Sequence, residues 1–160
     1  MKLTLILENI RSGGNVGSIL RTSDGLAVSE VLLAGYTPQP PHREILKTSL
    51  GAEAAVRWRH VGQDVGGTIA ALRQNGTAVY ALEQAADAVP LETFALSAPN
   101  DLALVLGNEV RGVTPNTLAV CEGAVEILQV GIKQSLNVSV AAGIAAWRLM
   151  RIAGTQTQLP

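Results

Sequence analysis

Apolar residues in this chain follow two alternating rhythms. Short continuous runs of aliphatic and β-branched residues, at Leu3–Leu7, Val31–Ala34, Val56–Trp58, Thr77–Leu82, Leu102–Leu106 and Ala124–Leu128, read as strands. Between them apolar residues recur at helical spacing. This predicts helices over Val16–Leu26, Val65–Gln74 and Asn116–Val120, and from Leu136 to about Ile152. Strands that are apolar throughout, separated by helices, are the pattern of a sheet covered on both sides. The expected class is α/β, a mostly parallel sheet with helices on both faces. No repeat, low-complexity tract or linker breaks the pattern, so residues 1–154 read as one domain followed by a polar tail at 155–160. Tyr36–His42, with Pro38, Pro40 and Pro41, reads as a loop inside that domain.

Composition narrows the picture. With 160 residues, 48% hydrophobic and 16% charged, the chain has material for a packed core and does not resemble a disordered one. One cysteine, Cys121, excludes a disulfide framework and any CxxC metal site, and zinc has no ligand set. No apolar run approaches the roughly 20 residues of a membrane span, and the start lacks the apolar core of a signal peptide. No metal and no membrane partner are expected, and the cytoplasm is the expected address. The net charge of −1 means that contact with nucleic acid must come from local clustering of the twelve Lys and Arg residues. An aromatic content of 3% argues against base stacking as the main mode. So much apolar content on a small body also points to surface buried against a second subunit.

Three short segments carry candidate chemistry. In the first, Gly13-Gly14 precede a predicted helix, Asn15 is a good N-cap, and Val16, Ile19, Leu20, Leu26 and Ala27 should face the sheet. Gly17, Arg21 and Asp24 fall on another face. A glycine-rich turn opening a helix after a strand can bind an anion, and can equally be a plain turn beside a solvated arginine. The second segment is Leu104-Val-Leu-Gly-Asn-Glu-Val-Arg-Gly112. It leaves a buried strand where an open parallel sheet places its ligands; there Gly107 would let a ligand approach the backbone, and Glu109 would offer a carboxylate. The third runs from Ile127 to Ala141, with Ser135-Leu-Asn137-Val-Ser139 opening an apolar last helix that Ser135 can cap. None is a dinucleotide fingerprint or a P-loop, and no GxSxG nucleophile motif occurs. A phosphate loop at Gly13-Gly14 remains open as a rival reading.

Taken in order, Asn15-Val-Gly-Ser-Ile-Leu-Arg21-Thr22, Gly107-Asn-Glu109-Val-Arg-Gly112 and Ser135-Leu-Asn137-Val-Ser-Val-Ala resemble the three motifs of SpoU/TrmH-type RNA methyltransferases. These form the ribose 2′-O branch of the SPOUT superfamily. Lys47-Thr-Ser-Leu-Gly-Ala-Glu53 resembles a segment the family carries between the first two motifs, and the resemblance spans essentially the whole chain. It implies a C-terminal trefoil knot, S-adenosylmethionine bound by the knot loops, and a homodimer that completes the active site. Carried over by position, it implies catalytic roles for Asn15, Arg21, Glu109, Ser135 and Asn137. It places Leu82, Gly107, Ile127, Val130 and Leu136 at the cofactor. Leu128-Gln129 stand where the family has Pro-Met, a departure expected to change the stiffness of the cofactor loop.

The implied reaction is methylation of a ribose 2′-hydroxyl, with transfer RNA expected as substrate. The alternatives are ribosomal RNA, or a catalytically silent protein of the same fold that binds RNA or cofactor. A guanidinium with a pKa above about 12 makes a poor base, so Arg21 is expected to clamp the phosphate and stabilise the developing alkoxide. Candidate RNA contacts are Arg11, Arg43, Lys47, Arg57, Arg59, His60, Arg111 and Lys133, with Arg57–His60 the densest cluster.

Overall fold

Thirteen elements follow one another in the computed structural model, which describes residues 1–96, 101–133 and 135–154, and for 152–154 the backbone alone. They are β1 (Leu3–Glu8), α1 (Gly13–Gly25), β2 (Glu30–Ala34), α2 (Arg43–Ser49), α3 (Ala52–Ala55), β3 (Trp58–His60) and α4 (Val65–Gln74), then β4 (Ala78–Leu82), β5 (Val89–Pro90), β6 (Leu102–Leu106), α5 (Pro115–Val120), β7 (Gly123–Glu126) and α6 (Val138–Gly154). The tail expected at 155–160 lies outside the described residues. The strands form one seven-stranded sheet in the order β3-β2-β1-β6-β4-β7-β5, and every described pairing is parallel. The α/β class expected from the apolar pattern is the class observed.

Alternation along β1 explains the two layers. Leu3, Leu5 and Leu7 join one buried cluster with Val16, Ile19 and Leu20 of α1, Ile45 of α2 and Ala142, Ala145 and Leu149 of α6. Ile6 points the other way and packs with Leu32, Val105, and Val65 and Ile69 of α4, against which Leu118 and Val120 of α5 are laid. Helices therefore cover both faces. Because β1 is followed by a helix on one face and its neighbour β6 by a helix on the other, the chain diverges at their carboxyl ends. Such a divergence leaves a crevice at that edge of the sheet.

Local chemistry moves several boundaries from their expected places. Helix α1 begins at Gly13, because Ser12 is the cap and its hydroxyl accepts the Asn15 N–H at 3.2 Å. Asn15, expected to be the cap, lies in the first turn with its side chain free for other work. Ala27 is exposed in left-handed backbone past the helix end, whereas Leu26 is half-buried. Strand β3 starts at Trp58 because the Val56 N–H closes α3 on Ala52, and the Trp58 indole is held by the Glu53 carbonyl at 2.9 Å. Glu8 is part of β1 and 2% exposed. Its carboxylate accepts the Thr114 N–H (2.9 Å) and the hydroxyls of Thr114 (2.8 Å) and Thr117 (2.5 Å), fastening β1 to the start of α5.

Helix α1 is held at the site by α2, which the apolar pattern alone does not reveal. The Thr48 hydroxyl donates to the Gly14 carbonyl at 3.0 Å. At Gly17 a β-carbon would collide with the Thr48 hydroxyl and the Ile45 carbonyl oxygen, so only glycine lets the two helices come this close. Gly17→Ala should therefore destabilise the fold by about 1–3 kcal/mol, despite alanine's better helix propensity. Thermal unfolding followed by circular dichroism should show a midpoint several degrees lower; an unchanged or raised midpoint would contradict this packing.

Candidate active site

Just beyond β6 the chain turns back on itself. Asn108 and Gly112 exchange backbone hydrogen bonds at 3.0 and 2.8 Å, and Asn108 Oδ1 accepts the N–H groups of Val110 and Arg111, each at 3.0 Å. A β-carbon on Gly107 would strike the backbone of Gly112 and Val113. The expectation that Gly107 is bare for a ligand is thus corrected in its reason: the glycine first makes room for the chain's own loop. The loop is also tied to the end of β4, where Glu83 accepts the Val113 N–H at 2.8 Å and the Gln84 N–H at 3.0 Å.

This turn aims Glu109 at the β1–α1 connection. One carboxylate oxygen accepts the Asn15 side-chain amide at 2.9 Å and the Ser12 N–H at 3.1 Å; the other accepts the Arg11 N–H at 3.0 Å. Partial burial alone would push this carboxyl up. The Arg11 N–H, the Asn15 amide and the Ser12 N–H outweigh it and hold Glu109 below the ordinary carboxylate value. Asn15 Oδ1 in turn accepts the Asn137 amide at 3.2 Å, while Asn137 Oδ1 accepts the Ser139 N–H (2.9 Å) and hydroxyl (2.6 Å) at the start of α6. The side chain over that helix start is Asn137, not Ser135 as expected. Three segments far apart in sequence meet along one line: Glu109, Asn15, Asn137.

Beside this line lies a cleft of about 210 Å³ at the carboxyl ends of β4, β6 and β7. Leu82, Gly107, Ile127 and Leu136, four of the five residues expected at a cofactor, line it together with Ser135. Val130 does not; it is fully exposed on the loop after β7. The described lining carries three carboxylates, Glu83, Glu109 and Glu126, and no Lys or Arg. Such walls suit a flat, partly apolar ligand bearing positive charge and disfavour a polyphosphate. The phosphate-loop reading of Gly13-Gly14 fails on the same ground, because the anion received at this turn is the chain's own Glu109. Burial, aided by Glu8, pushes the Cys121 thiol up to about 11, the opposite of an activated nucleophile.

Arg21 stands apart from this cluster. It is exposed on α1, roughly 9 Å of helix rise beyond Asn15, and its side chain has no hydrogen bond or ion pair among the described residues. The basic candidates divide. Arg11, Arg111 and Lys133 are exposed on loops at the carboxyl edge of the sheet, and Arg43 and Lys47 are exposed on α2. The dense cluster is largely spoken for: Arg57 and Arg59 both pair with Glu30 (3.1 and 3.2 Å). The two ring nitrogens of His60 engage Gly35 O and Gly62 N–H, each at 3.1 Å. Glu83, which holds the cleft loop, belongs to no motif, and Thr48, which holds α1, falls in the Lys47–Glu53 segment without any sign there of that contact. Their only sequence signal is a polar side chain at the end of a strand or in a short helix.

Comparison with known proteins agrees with this geometry. The SpoU rRNA methylase family matches residues 2–147. The chain is 34% identical over 93% of its length to a tRNA (guanosine(18)-2′-O)-methyltransferase of Thermus thermophilus, covering 74% of that protein. It is 29% identical to a 23S rRNA (guanosine-2′-O-)-methyltransferase of Xanthomonas axonopodis, covering 58% of it. An AdoMet-bound rRNA methyltransferase from Sinorhizobium meliloti superposes on 99% of the chain with a TM-score of 0.86 at 25% identity, and the match takes in 57% of that structure. An ordered set of motifs, a parallel sheet open at its carboxyl edge and these relatives agree: the chain belongs to the SpoU family of RNA 2′-O-methyltransferases.

Proposed function

We propose that this chain transfers a methyl group from S-adenosylmethionine to a ribose 2′-hydroxyl of RNA, in the cytoplasm, with transfer RNA as the favoured substrate. The observation that carries the reading is the cleft, whose acidic and apolar walls open onto the Glu109–Asn15–Asn137 line. Support for transfer RNA over ribosomal RNA is the higher identity and fuller coverage of the Thermus relative. The intact Asn15, Arg21, Glu109, Ser135 and Asn137 argue against a silent relative that only binds.

The cofactor, when bound between Leu82, Gly107, Ile127 and Leu136, supplies an electrophilic methyl on a sulfonium. The protein's own work is placement. Glu109 takes one amide hydrogen of Asn15 and Asn137 donates to its oxygen, leaving the second amide hydrogen to orient the ribose. Arg21 grips the phosphate beside the target and stabilises negative charge on the attacking oxygen. We take the site to be completed in a homodimer, a reading supported by the position of Arg21, six residues along α1 from Asn15. An exposed apolar stripe on α6, Val140, Ile144 and Trp147, supports that packing. The interleaving of β6 and β7 with the earlier strands supports threading of the C-terminal segment as a trefoil knot.

Calorimetric titration should show S-adenosylmethionine binding without ATP or NAD binding. Arg21→Ala should keep that affinity within a few-fold while methyl transfer falls about 10²–10³-fold; retained turnover would remove Arg21 from its role. A further expectation concerns acid. Since folding lowers the Glu109 pKa, its stabilisation is full above the ordinary value near 4.5 and is lost as pH falls through the lower folded value. Between about pH 5 and pH 3, Glu109→Gln should therefore lose less thermal stability than the parent chain. Equal losses would contradict the hydrogen-bonded carboxylate.

A further inference from the structure

The cleft lies to one side of Glu109, over β6, β4 and β7. On the other side, over β1 and β2, the same edge of the sheet carries Tyr36, the second residue after β2. Tyr36 is 56% exposed, yet its hydroxyl is fixed: it accepts the Asn108 side-chain amide at 3.0 Å. Asn108 is itself buried and donates also to the Asn9 carbonyl at 2.9 Å, so the tyrosine's polar end is held by the loop that aims Glu109. The Tyr36 N–H adds a bond to Asn9 Oδ1 at 3.3 Å. The other described aromatics are committed elsewhere. Tyr80 and Phe94 meet edge to face in the core at 4.9 Å, Trp58 is pinned to α3, and Trp147 sits on α6 beneath Arg151.

An exposed ring with a tethered hydroxyl loses little freedom on binding a flat partner. RNA read outside a duplex is characteristically held by stacking unpaired bases on aromatic rings, and one ring serves one base. Arg11, exposed and anchored to Glu109 through its N–H, follows two residues after Asn9, whose side chain holds the Tyr36 N–H, and is the cation offered for the backbone phosphate.

We propose that Tyr36 is the stacking platform for an unpaired nucleobase of the RNA, at or next to the methylated nucleotide. The low aromatic content argues against stacking as the main mode, but a single well-placed ring is enough for this task. The assignment rests on the RNA methyltransferase reading. Electrostatics bring the RNA, and Tyr36 sets one nucleotide on the far side of Glu109 from the methyl donor.

The test is steady-state transfer of labelled methyl to bulk small RNA extracted from cells deleted for this gene, with calorimetric S-adenosylmethionine binding in parallel. Tyr36→Leu, which keeps bulk but removes the π-face, should raise the RNA KM about tenfold. Its kcat should change less, and its cofactor affinity should hold. Tyr36→Phe restores the ring without the hydroxyl and should bring KM back to within about twofold of the parent. An unchanged KM in Tyr36→Leu would overturn the proposal. Equal loss in the leucine and phenylalanine variants would also overturn it, by making the hydroxyl tether the functional part. Methyl transfer by the parent chain onto the same RNA separates these failures from a failure of the methyltransferase reading.

Discussion

Everything at the carboxyl edge of this sheet depends on one carboxylate. Glu109 gathers three hydrogen bonds from the β1–α1 connection, from Arg11, Ser12 and Asn15, and is itself held out by a loop that closes on Asn108. A charge so satisfied stays ionised, and an ionised acceptor fixes the orientation of the asparagine amide that donates to it. The first and second motif segments are thereby one object. Asn137 adds the third by donating to the remaining face of Asn15.

The fold provides the place where such a bridge is needed. Strands β1 and β6 are neighbours, but their helices leave to opposite faces, so the chain diverges at their carboxyl ends. Glu109 spans that divergence. Glu8, the last residue of β1, fastens the strand to Thr114 and Thr117 at the start of α5. On one side of the span is an acidic, apolar cleft. On the other is an exposed edge with Tyr36 and Arg11. A methyl donor and a nucleotide approaching from opposite sides would meet over the Glu109–Asn15 pair, which is what an in-line transfer requires.

The parts legible in the sequence are those governed by local periodicity. Leu102–Leu106 and Val65–Gln74 occupy their expected bounds, because a fully buried parallel strand and a capped amphipathic helix each leave a clear pattern. The opening of α1 is displaced because Gly13-Gly14 look like a turn, while Ser12 does the capping. Helices α2 and α3 leave little apolar signal: α2 buries one aliphatic side chain, Ile45, and α3 is a single turn. The site is legible only as separate strings. Asn15 and Glu109 are 94 positions apart, and no local rule pairs them. The roles of Tyr36 and Glu83 are not legible at all, since they come from which loops the sheet order brings side by side.

The most direct test is a double-mutant cycle for methyl transfer, using Asn15→Ala, Glu109→Ala and the double variant. If Glu109 acts by holding Asn15, the double variant should be scarcely slower than the worse single one, with a coupling of about 1–3 kcal/mol. Losses that simply add would mean that the two side chains act independently, and Glu109 would then be no bridge to Asn15.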